Sequence, residues 1–110
     1  MVGIDIEEVV YKPLHDFESQ FTRKEWSQIE NNQSDMRLFY SCWNKKESLV
    51  KATGEGLSTD LSLIDTLNDQ IVWHNKEWHW QQVPLHPDYT AYLACNKPYT
   101  ALHIKQCLVE

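Results

Sequence analysis

The stretch WNKKESLVKATGEGL, residues 43 to 57, decides how this chain is read. Trp43, Glu47 and Val50 recur at helical intervals, with Phe39 and Tyr40 upstream, so the stretch predicts the second half of a long helix. Ser34 is the expected N-cap, and Gly54 supplies a stop after about Thr53. The flank of this helix is crowded with Lys45, Lys46, Glu47 and Lys51. Glu47 and Lys51 are four apart and share a face, with Trp43 one turn earlier. As a bare surface ion pair they contribute only ~0.5 kcal/mol. Lys45 reads as a solvated charge.

Working outward, VGIDIE at residues 2 to 7 alternates Val2, Ile4 and Ile6 with Gly3, Asp5 and Glu7, which predicts a strand. Its apolar side is expected to be the buried one, with the two acids sharing the other. In FTRKEWSQI, Thr22 followed by Glu25 is a capping-box pattern, so a short helix should run to about Asn31. After Gly56 the periodicity becomes that of short strands: 61 to 66, 70 to 74, 77 to 83, 89 to 94 and 100 to 104. Asn68-Asp69 and Asn75-Lys76 are expected hairpin connections. Within WHNKEWHW, alternation puts Trp78 and Trp80 on the core face and His79 on the other. The expected fold class is α+β, a single domain with an antiparallel sheet and helices packed on one face.

The length of 110 residues bounds the chain to one domain, and 42% hydrophobic with 24% charged residues excludes a disordered chain. A net charge of −6 argues against nonspecific nucleic-acid binding, although a local basic cluster can still serve an anionic ligand. No apolar run approaches the ~20 residues of a membrane span, and no basic-then-apolar leader is seen, so the expected location is cytoplasmic. Cys42, Cys95 and Cys107 are widely spaced and form no CxxC pair, which fits reduced thiols.

Asp5 and Glu7, two apart on a strand, project from one face and can converge on a hard cation through oxygen ligands. An isolated DxE is ordinary on a solvated strand face. Glu47 makes it a chemically coherent set: three carboxylates suit magnesium, and a lysine on the same wall can neutralise a pyrophosphate.

VGIDIE at residues 2 to 7 and WNKKESLVKATGEGL at residues 43 to 57 resemble the two hallmark motifs of the 4'-phosphopantetheinyl transferases, (V/I)G(I/V)DIE and WxxKES..K..G.GL. FTRKEW at residues 21 to 26 is similar to a third family segment, and a weaker likeness extends through DYTAYLAC at residues 88 to 95. The resemblance implies that Asp5, Glu7 and Glu47 hold Mg2+ and that Glu47 is also the catalytic base. It implies that Lys51 contacts the pyrophosphate of coenzyme A, with Lys46 a second phosphate contact and Trp43 and Glu25 supports. The implied reaction moves the phosphopantetheine arm of coenzyme A onto a serine of an acyl or peptidyl carrier protein. The stretch from Val9 to Lys24 is the expected carrier contact.

WNKKES and GIDIE favour the surfactin-type branch, whose two-domain members carry GIDIE at the start of their second half. The expectation is therefore a homo-oligomer, or a C-terminal half paired with a missing N-terminal half. The alternative is a non-catalytic binding domain that keeps the metal triad without transferring on its own.

Overall fold

The computed structural model describes residues 1–96, the side chain of Leu57 excepted. The expected strand at 100 to 104 and Cys107 lie outside the described residues. Strand β1 (Val2–Glu8) leads, followed by a 3-10 stretch at Leu14–Gln20, helix α1 (Arg23–Glu30) and helix α2 (Arg37–Thr53). After short 3-10 turns at Gly56–Ser58 and Leu61–Leu63 come β2 (Gln70–Trp73), β3 (Lys76–Gln82) and β4 (Tyr89–Cys95). The described strands form one antiparallel sheet in the order β1-β4-β3-β2. The α+β reading therefore holds, with α2 lying across β1 and β4.

Local chemistry explains where the elements begin and end. Thr22 and Glu25 form the expected capping box: Thr22 Oγ1 accepts from the Glu25 amide at 3.1 Å, and the Thr22 amide donates to Glu25 Oε1 at 2.8 Å. Helix α2 starts later than expected, because Asn32 to Asp35 form a turn and Asp35, not Ser34, accepts from the Arg37 amide at 3.0 Å. Gly54 ends it in the left-handed region at φ 76°, with its amide bonded to Val50 O. His74 and Asn75, at φ 52° and 64°, make the tight β2-β3 hairpin turn.

Two further expectations are corrected. In β1 it is the Gly3, Asp5, Glu7 side that faces α2, while Val2 and Ile4 pack on the far side of the sheet against Val83, Ala91 and Leu93, and Ile6 is half exposed. Gly3 permits this, since a Cβ there would stand 2.1 Å from Ser48 O and 2.5 Å from the Ala52 amide nitrogen. The segment 61 to 66 is not a strand, so Asn68-Asp69 closes no hairpin. Its backbone groups are satisfied by side chains instead of a neighbouring strand: Lys46 Nζ donates to Leu61 O and Ile64 O, and Glu25 Oε2 accepts from the Thr66 amide.

The core has two parts on the helix side. Leu49, Val50, Ala52 and Ile64 pack against Trp78, Trp80 and Ala94, which bears out the face assigned to the two tryptophans. Phe21, Ile29, Phe39 and Tyr40 form an aromatic cluster with Phe17 and Trp43 at its edge. Phe39 and Trp43 stack at 6.3 Å between ring centroids, and Phe17 meets Trp43 edge-on at 5.8 Å. Cys42 and Cys95 are free and buried.

Candidate functional site

Strand β1 and helix α2 run against each other, and their contact gathers the expected residues. Asp5 is buried beneath α2, where its Oδ1 accepts from Lys51 Nζ at 2.8 Å and its Oδ2 accepts from Asn44 Nδ2 at 2.7 Å. Lys51, in the last turn of α2, keeps about half of its side chain exposed (52%), so its ammonium can meet an incoming anion while it holds Asp5. Its place at the helix C-terminus is also favourable for a cation.

Glu7 and Glu47 are half-buried and sense the same neighbours. Burial and the Asp5 charge hold the Glu7 carboxyl above its usual range, against the pull of Lys12, Lys51 and a hydrogen bond from the Trp43 side chain. Burial pushes Glu47 up as well, reinforced by Asp5 and Glu7 and opposed by Lys51. Asp5 thus acts electrostatically on both Glu7 and Glu47, and Glu7 acts on Glu47.

An all-oxygen set of coupled carboxylates is the chemistry of a hard divalent cation, whose charge would relieve their repulsion. By that measure Asp5, Glu7 and Glu47 fit magnesium. They are not drawn together around one point: among the described residues no three His, Cys, Asp or Glu side chains stand in metal-holding geometry. Asp5 explains part of this, since both of its oxygens are already engaged.

Glu47 and Lys51 open onto a cleft of about 710 Å³ that Phe17, Trp43, Gly54, Gly56 and Thr59 also line. A comparable hollow of about 750 Å³ lies between Asn68 to Val72 and β3, and neither Glu47 nor Lys51 lines it. The chemistry assigns the site to the first.

Lys46, expected as a phosphate contact, is corrected. Its side chain is fully buried and its three donor positions are spent on Glu25 Oε1 at 2.8 Å, Leu61 O at 2.8 Å and Ile64 O at 2.5 Å. Burial lowers its pKa, against the pull of Glu25. Lys45 is not a solvated charge either, for its Nζ is buried against Thr66 O at 3.0 Å and pairs with Asp69 at 3.2 Å. Glu25 bears out its supporting role. Asn44 and Thr90, which flank the site, carry no pattern by which a single sequence would single them out.

A sequence profile of the 4'-phosphopantetheinyl transferase superfamily matches residues 1–97. Over 64 residues, 52% of this chain, the sequence is 41% identical to the Schizosaccharomyces pombe protein named L-aminoadipate-semialdehyde dehydrogenase-phosphopantetheinyl transferase, covering 24% of that protein. Over 94% of this chain it is 27% identical to the 4'-phosphopantetheinyl transferase psf-1 of Bacillus pumilus, covering 48% of it. The chain therefore spans less than half the length of either relative. Among solved structures, the Thermotoga maritima holo-acyl-carrier-protein synthase shares the fold, with a TM-score of 0.61 at 19% identity over 84% of this chain and 60% of that one.

Proposed function

Since the chain belongs to the 4'-phosphopantetheinyl transferase superfamily, we propose that it supplies the acidic half of a site that transfers 4'-phosphopantetheine from coenzyme A to a serine of a carrier protein. The observation that carries this is the meeting of Asp5, Glu7, Glu47 and Lys51 at one β1-α2 contact, where Glu47 and Lys51 line a cleft.

The reaction asks little covalent chemistry of the protein. The serine oxygen must lose a proton as it bonds to phosphorus, the phosphoanhydride bond must break, and adenosine 3',5'-bisphosphate must leave with the displaced charge. Glu47, with its carboxyl held above the usual range, is suited to accept the serine proton directly or through one water. Lys51 presents its ammonium to the pyrophosphate oxygens and offsets the charge of the leaving group. Asp5, Glu7 and Glu47 would hold Mg2+, which when bound polarises the phosphate oxygens. Trp43, stacked on Phe39 and met edge-on by Phe17, packs the cleft wall.

The stretch from Val9 to Lys24 remains our candidate for the carrier contact, as it holds exposed Tyr11 and brings Asp16, Phe17 and Gln20 to the cleft. The rest of the coenzyme A site would come from a second copy or from an N-terminal half of the surfactin-type branch. We place the reaction in the cytoplasm; no helix among the described residues is long and apolar enough to cross a membrane.

A binding domain without transfer is the second reading, favoured by the carboxylates' not being gathered for a metal. Incubation with coenzyme A, Mg2+ and an apo-carrier protein, followed by intact-mass spectrometry, separates the two. Transfer predicts a phosphopantetheine adduct that is lost in Glu47→Gln and Lys51→Ala. Full activity in both variants would overturn the assignment, and magnesium-dependent binding of coenzyme A without an adduct would favour the second reading.

A further inference from the structure

Position 44 is one that the WxxKES pattern leaves open, yet in this chain it holds a fully buried asparagine at the acidic site. A buried amide must satisfy both ends. Asn44 Nδ2 donates to Asp5 Oδ2 at 2.7 Å and, more weakly, to the Asp5 carbonyl at 3.4 Å. Asn44 Oδ1 accepts from Thr90 Oγ1 at 2.5 Å. Thr90 is itself buried on β4, directly across from Glu7 in the sheet register.

We infer that Asn44 is a positioning residue for Asp5 and that Thr90 anchors the far end of its amide. An amide can flip end for end; the Asp5 carboxylate and carbonyl only accept, so the NH2 group faces them and Oδ1 turns to Thr90, whose hydroxyl donates to it. Asp5 Oδ2 is then held by Asn44, and Oδ1 is the oxygen that the half-exposed Lys51 reaches at 2.8 Å. Asp5 is thereby oriented from α2 and β4 at once, and a cation would take Oδ1 in exchange for its bond to Lys51. Outer-shell bonds of this kind to ligating groups typically tune metal affinity by ~10–100-fold.

This inference rests on the proposed metal-holding role of Asp5, and the test separates the two. Mn2+ binding to the full chain is followed by electron paramagnetic resonance and titration calorimetry, with near-UV circular dichroism to verify folding. Asn44→Ala and Thr90→Val are each expected to weaken Mn2+ binding ~10-fold or more, while Thr90→Ser, which restores the hydroxyl, returns it to the original affinity. Thr90→Val is nearly isosteric and serves if Asn44→Ala does not fold. Unchanged Mn2+ affinity in folded Thr90→Val, or a Thr90→Ser as weak as Thr90→Val, overturns the positioning role alone. No Mn2+ binding in the unaltered chain, or binding that survives Asp5→Asn and Glu47→Gln, overturns the metal role and this inference with it.

Discussion

Lys46 Nζ lies 2.8 Å from Glu25 Oε1, and neither side chain reaches solvent. This pair joins α2 to α1, and through Leu61 O, Ile64 O and the Thr66 amide it also holds the segment between α2 and β2. Breaking a buried pair leaves an uncompensated charge, so Lys46→Ala or Glu25→Ala is expected to cost about 3–5 kcal/mol. The double replacement Glu25→Leu with Lys46→Met should cost clearly less than the sum of the single changes, because it leaves no lone charge. Urea unfolding of the variants measures this, and additive losses would show that the pair is not coupled.

Glu47 is predicted to lower stability where it helps chemistry. Its folded pKa is raised by burial, Asp5 and Glu7, so the native state binds the proton more tightly than the unfolded chain does. Stability then falls as pH rises from the unfolded value of ~4.3 through the raised folded value. In metal-free buffer, Glu47→Gln should raise the melting temperature at pH 7.5, with the gain disappearing below pH ~4. Thermal melts at the two pH values check the sign.

Gly3 is predicted to be intolerant of even one carbon. A Cβ there meets backbone atoms of Ser48 and Ala52, which cannot swing aside as a side-chain end would. Gly3→Ala should cost about 2 kcal/mol or more. Because the displaced helix carries Glu47 and Lys51, the acidic site should loosen in parallel. Denaturant unfolding reads the first effect and Mn2+ titration the second.

Glu55 should support the fold only while ionised. Partial burial would raise its carboxyl, but hydrogen bonds from Trp73, Thr59, Thr53 and His74 outweigh it and hold the pKa at about 2. The Trp73 bond is 2.8 Å and the Thr59 bond 2.7 Å, so Glu55 ties the α2 terminus to the β2-β3 hairpin. With the folded value depressed, the stabilisation is full above the unfolded pKa of ~4.3 and is lost as pH falls toward 2. Glu55→Gln should therefore be less stable than the original chain at pH 7, with the difference shrinking steadily below pH 4. A constant difference across that range would contradict the role.

Much of the fold is legible in local pattern. The Thr22-Glu25 box, the Gly54 stop, the hairpin before β3 and the inward Trp78 and Trp80 each depend on residues close in sequence, where cap geometry and strand alternation act. The segment 61 to 66 misled for the opposite reason. Its alternation suits a strand, but its carbonyls find Lys46, which lies 15 residues or more away in sequence.

The sequence by itself determined the acidic and basic residues of the candidate site and the periodicities that put Asp5 with Glu7 and Glu47 with Lys51. Only the tertiary structure decided which lysine serves which purpose. Lys45, Lys46 and Lys51 look alike in WNKKESLVK, yet two are drawn inward to satisfy carbonyls and carboxylates and one is left half in solvent beside Asp5. It also decided that the acid face of β1 is the covered one, because Gly3 lets α2 approach and Asn44 and Lys51 compensate the buried Asp5. Burial is set by what packs on a residue, and for these side chains the packing partners lie tens of residues away.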